Sequence, residues 1–83
     1  GSSDKTVFDR KAIVKATLDT MCRQVVIVHN HPEGDPRPSQ SDIRETERIR
    51  TALAAFDSTL ADHIILGEKN FFSFQEERVL NYA

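Results

Sequence analysis

"VVIVHNHPEGDPRPSQSD", residues 25–42, sets the architecture of this chain. It opens on a β-branched run, Gln24–His29, with no polar alternation, the mark of a strand buried on both faces between helices. It then passes through three prolines, one glycine and two acids within residues 32–38, which is loop composition. From Ser39 or Gln40 to about Phe56 the pattern becomes helical, with Ile43, Ile49, Leu53 and Phe56 on one side, Ala52 filling in, and Arg44 and Arg48 on the polar side.

Working outward, residues 9–22 read as a helix, because Ile13, Val14, Thr17, Leu18 and Met21 recur at spacings of three and four. "HIILG", 63–67, reads as a second apolar strand. A turn follows at 67–70, then a third, antiparallel strand at 71–74. "QEERVLNYA", 75–83, reads as a closing helix. The order is helix, strand, helix, strand, strand, helix, which is α/β or α+β with a small mixed sheet. Three strands make a poor sheet alone, so further strands are expected upstream of residue 4 or from a second copy. Gly1-Ser2-Ser3 reads as a tag-cleavage scar, and residues 4–83 as part of one domain.

The bulk properties narrow the function. The 83 residues suffice for one small domain. The net charge of −2 gives no basic footprint for nucleic acid. One cysteine, Cys22, permits no internal disulfide, and no apolar run is long enough to span a membrane. Cys22 reads as a small apolar residue at a helix end.

The chemistry concentrates at the end of the first strand. Side chains at i and i+2 share a face, so His29 and His31 can converge on one point. Catalytic zinc typically takes three protein ligands and leaves a position for water. Asp42, in the first turn of the next helix, is the best third donor; Asp35 is a rival in the loop, and Cys22 and His63 lie on other elements. Ser39 and Asp42 also fit a capping box, which would occupy the same carboxylate without any metal. Three adjacent residues, His29-Asn30-His31, do not make the dispersed triad of an HNH nuclease.

Taken together, His29-x-His31, seven residues, Ser39, two residues, Asp42 resembles the signature of the JAMM (JAB/MPN+) zinc metalloproteases. "HNHPEGDPRPSQSD" resembles their RadC-like branch. "DRKAIVKATL" and "LADHIILGEKNFFSFQEERVL" extend the similarity over residues 5–81. The resemblance implies a three-layer, cytidine-deaminase-like arrangement. It also implies zinc held by His29, His31 and Asp42, with Ser39 stabilising the oxyanion as activated water attacks an amide or isopeptide carbonyl. Glu33 departs from the small residue more usual there and reads as an exposed loop acid. The general-base glutamate of such enzymes sits on an earlier strand, and residues 1–28 contain no glutamate. Efficient peptidase activity is therefore not expected of these residues alone.

Two accounts compete. One is a bacterial, cytoplasmic zinc hydrolase acting on a peptide or isopeptide. The other is a non-catalytic interaction module, in line with the historical association of RadC with DNA repair. Glu45 and Glu47 among Arg37, Arg44, Arg48 and Arg50 argue against direct DNA binding. A homodimer through an exposed strand edge is a further expectation. Asp62-His63 reads as the anchor of a strand start, with support of a metal ligand as the functional alternative.

Overall fold

The chain enters its first helix through Asp9, whose side chain accepts the amide of Ala12. The computed structural model describes residues 9–31 and 34–82. Helix α1 (Arg10–Thr20) ends at Met21, whose backbone turns left-handed at φ 56°. Strand β1 (Gln24–Asn30) follows, then α2 (Gln40–Ala54), β2 (Thr59–Leu66), β3 (Asn70–Ser73) and β4 (Arg78–Asn81). The scar reading of residues 1–3 and the loop reading of Glu33 fall outside the described residues.

The four strands form one mixed sheet in the order β1-β2-β3-β4. β1 and β2 run parallel, as strands joined by a crossover helix do, while β2-β3 and β3-β4 are antiparallel hairpins. The β1–β2 register shifts once, between Val25 and Val26. Both helices lie against one face. Ile27, Ile49, Leu53 and Leu60 form the buried cluster there, with Ile13 and Val25 packed on it. Among the described residues the fold is thus α+β, a four-stranded mixed sheet with two helices.

Three readings are corrected. Strand β1 is covered on one side only among the described residues: Val26 and Val28 are 56% and 55% exposed, whereas Ile27 is buried. A β-branched run reports strand propensity as well as two-sided burial, and here propensity accounts for half of it. Leu18 and Met21 do not join the core; they are 44% and 83% exposed, because α1 faces inward through Ile13 and Thr17 and stops at Met21.

The third concerns the closing helix expected over 75–83: of its described residues, 75–82, none is helical. Asp62 Oδ1 accepts the Gln75 amide at 2.9 Å, and Ser73 Oγ accepts the Glu76 amide at 3.1 Å. Glu77 takes a left-handed conformation at φ 61°, and its amide donates to the Ser73 carbonyl at 2.7 Å. These bonds close a turn that pairs Ser73 with Arg78, and the stacking of Phe71 on Tyr82 holds the returning strand. Pairing and aromatic contact outweigh the helix propensity of Gln-Glu-Glu-Arg.

Candidate metal centre

His29 stands near the C-terminal end of β1, and His31 is the first residue beyond it. The strand geometry continues through His31, whose amide donates to the Leu66 carbonyl of β2 at 3.0 Å. Both rings therefore keep the i, i+2 relation and lie edge to face, with centroids 4.9 Å apart.

The loop then returns the chain to α2. Gly34, at φ 92°, makes the turn that few other residues tolerate, and the Glu68 amide donates to its carbonyl at 3.1 Å. Ser39 caps α2. Asp42 follows three residues later, buried beneath the two imidazoles.

One oxygen of Asp42, Oδ2, lies 3.3 Å from His31 Nε2, and the other, Oδ1, lies 4.0 Å from His29 Nε2. The donor atoms of His29, His31 and Asp42 all fall within 4.8 Å of one another, a group that could hold a metal ion. The capping box is present as well: Asp42 Oδ2 accepts the Ser39 amide, and Ser39 Oγ accepts the Asp42 amide. A carboxylate offers about four lone-pair sites, so the two uses do not exclude each other. Ser39 Oγ spends a lone pair on its cap and keeps the hydroxyl proton for another acceptor.

Each ring is oriented by its far nitrogen. His31 Nδ1 donates to the Asp35 carbonyl at 2.8 Å. His29 Nδ1 lies 2.9 Å from Nε2 of His63, whose own Nδ1 is 2.8 Å from Thr46 Oγ1. In both histidines Nε2 is turned toward Asp42. Unprotonated imidazole nitrogens and a carboxylate oxygen directed at one another repel unless a proton or a metal cation lies between them, and a donor set of two nitrogens and one oxygen suits zinc.

Burial pushes the pKa of His29 below the ordinary imidazole value; His31 adds to the lowering and Asp42 opposes it. Burial pushes His63 further, to about 4, with His29 the next cause. Neutral histidines are the form that ligates metals.

The rival donors stand elsewhere. Asp35 turns its carboxylate outward to Arg37 and contributes only its carbonyl to His31. Cys22, half-buried after α1, offers its carbonyl to Ser58 Oγ. His63 is not at a strand start: β2 begins at Thr59, so the ring sits in mid-strand, buried beside His29 and stacked on Phe74 at 4.6 Å. Asp62 belongs to the fold instead, accepting from the His63 amide, Ser73 Oγ and the Gln75 amide. Among the described residues no helix is long and apolar enough to cross a membrane.

Comparison with known proteins identifies the family and its relatives. A family model described as "RadC-like JAB domain" matches residues 1–79. Similar proteins include a UPF0758 protein of Ruegeria pomeroyi, 42% identical over 80 residues that make up 96% of this chain and 36% of the relative. One from Shewanella baltica is 37% identical over 81 residues, 98% of this chain and 36% of the relative. One from Thermotoga maritima is 36% identical over 77 residues, 93% and 35% respectively. The chain thus spans about a third of the length of the curated relatives it matches.

Proposed function

The chain belongs to the RadC-like JAB domain family, and on that premise we propose that it carries the metal site of a zinc-dependent hydrolase acting on amide or isopeptide bonds. The supporting observation is the convergence of His29 Nε2, His31 Nε2 and the Asp42 carboxylate, with both Nδ1 atoms engaged on the far side. His29, His31 and Asp42 are the proposed ligands. A zinc ion held there would supply Lewis acidity and bring a water pKa down to roughly 7.

The remaining roles fall to the chain's own atoms. The Asp35 carbonyl and the His63 ring fix the imidazole planes. The two capping bonds fix the Asp42 carboxylate at the helix start. Ser39 would donate its hydroxyl proton to an oxyanion forming beside the site.

Metal analysis and hydrolysis assays on the full-length protein test the reading. About one zinc per chain is expected, lost in a His29→Ala/His31→Ala double variant, together with amide or isopeptide hydrolysis. Absence of zinc from the wild type would sink it. Stoichiometric zinc without hydrolysis would favour an interaction module that retains the metal for structure.

A further inference from the structure

We infer that His63 and Thr46 are positioning residues that fix the tautomer of His29, so that Nε2 rather than Nδ1 is its ligand atom. The inference rests on the reading of His29 as a metal ligand and adds two residues to it that are outside the ligand set.

The direction of every bond follows from donor inventory. The Thr46 hydroxyl has one proton and gives it to the Asp42 carbonyl at 2.6 Å, since a carbonyl can only accept. Toward His63 the same oxygen, 2.8 Å from Nδ1, can therefore only accept, so His63 carries its proton on Nδ1. The His63 ring is fully buried and stacked on Phe74 with its plane 4° away, an environment that favours the neutral form. Its Nε2 then bears a lone pair and accepts from His29 Nδ1–H across 2.9 Å. His29 is left with a lone pair on Nε2, the atom turned toward Asp42.

The relay begins on the backbone of one proposed ligand, Asp42, and ends on the ring of another, His29. Reversing it would place a proton on His29 Nε2 and block coordination. The carbonyl at the origin and the burial of the His63 ring together forbid reversal, and Thr46, fully buried one helical turn after Asp42, is the only element of the relay with a replaceable hydroxyl. Partners that orient a ligating histidine are generally worth 10- to 100-fold in metal affinity.

The test uses the full-length protein. Long-range ¹H–¹⁵N NMR of the zinc-free wild type is expected to show His29 protonated on Nδ1; protonation on Nε2 would overturn the inference. Zinc affinity, measured by competition with a chromophoric chelator, is expected to fall about 10- to 100-fold in Thr46→Val and to be restored in Thr46→Ser. His63→Gln, which keeps an acceptor for His29 Nδ1–H, is expected to lose less than His63→Leu. Unchanged affinity in Thr46→Val, with circular dichroism confirming its fold, would overturn the inference while leaving the ligand assignment standing. A wild type that takes no zinc overturns the ligand reading instead, and the NMR measurement still decides the tautomer. If Thr46→Val does not fold, the same measurement on the wild type decides.

Discussion

Ser39 and Asp42 exchange two hydrogen bonds, amide to carboxylate at 2.9 Å and amide to hydroxyl at 3.0 Å. The helix start and the candidate metal centre are thereby one construction. Ser39→Ala removes the cap acceptor and is expected to cost about 1 kcal/mol of stability, whereas Ser39→Gly costs only a few tenths. If the hydroxyl also serves the oxyanion, both variants lose hydrolysis to a similar degree. Urea titration alongside activity separates the two effects, and an active Gly variant would remove Ser39 from the chemistry.

Asp42→Asn keeps an oxygen for the Ser39 amide but gives up the charge beside His29 and His31. Zinc affinity is expected to drop by more than about tenfold, the lower end of what loss of a residue that merely orients a ligand costs. The folded state is expected to persist, with its helix content by circular dichroism unchanged. Equal zinc affinity in the Asn variant would exclude the carboxylate as a ligand.

Stability of the zinc-free protein is expected to fall on acidification through a defined window. Burial depresses the pKa of His63 to about 4 in the folded state, against about 6.5 when exposed. The neutral ring is thus favoured by folding; its contribution is complete above about pH 6.5 and is lost progressively as pH falls toward about 4. The total is on the order of 3 kcal/mol. His29 is shifted in the same direction and adds to the slope. Urea midpoints at pH 7 and pH 4.5, in chelator, check this, and His63→Gln should flatten the difference. Identical midpoints for the wild type at both pH values would contradict it.

Gly67→Ala is expected to disturb the site from outside it. A β-carbon there would stand 2.5 Å from the Gly34 carbonyl oxygen, 2.9 Å from the Asn70 carbonyl oxygen and 2.9 Å from Pro36 Cδ. These are backbone and ring atoms, so the loop must move. Overpacking of this kind typically costs about 1–3 kcal/mol. The same loop carries the carbonyl that holds His31. Lower thermal stability together with weaker zinc binding is expected; a variant unchanged in both would show that the loop gives way freely.

Met21→Gly is expected to stabilise. Met21 is exposed and left-handed, and its amide and that of Cys22 cap α1 at Leu18 and Thr17. Relief of a left-handed non-glycine residue is worth about 1 kcal/mol. A rise in the urea midpoint checks it, and a fall would mean that the methionine side chain makes a contact outweighing the backbone strain.

The first strand, the long helix and the convergence of His29 and His31 were legible because each is set by local sequence: a β-branched run, an apolar period and a strand parity. The relation of Asp42 to both cap and cluster needed coordinates, since spacing alone offered either use. The mid-strand position of His63 is hidden in the sequence because Ala61 and Asp62 are poor strand formers, so the apolar run reads as a strand beginning at the histidine. Parallel pairing with β1 carries it back to Thr59. The final strand was masked by Gln-Glu-Glu-Arg, whose helix propensity yields to the Asp62-anchored turn and to the partner strand.

The register shift in β1–β2 decides which way His63 faces. Partners run Val25 with Leu60, then Val26 with Asp62, so Ala61 is an extra residue in β2. Strict alternation from the buried Leu60 would send Asp62 and Ile64 inward and His63 outward. The bulge inverts that parity, and the buried positions become Leu60, His63 and Ile65. An unpaired alanine, more than ten residues from any proposed ligand in sequence, is thus the phase-setting element that brings a third imidazole onto the face of the sheet where the other two converge.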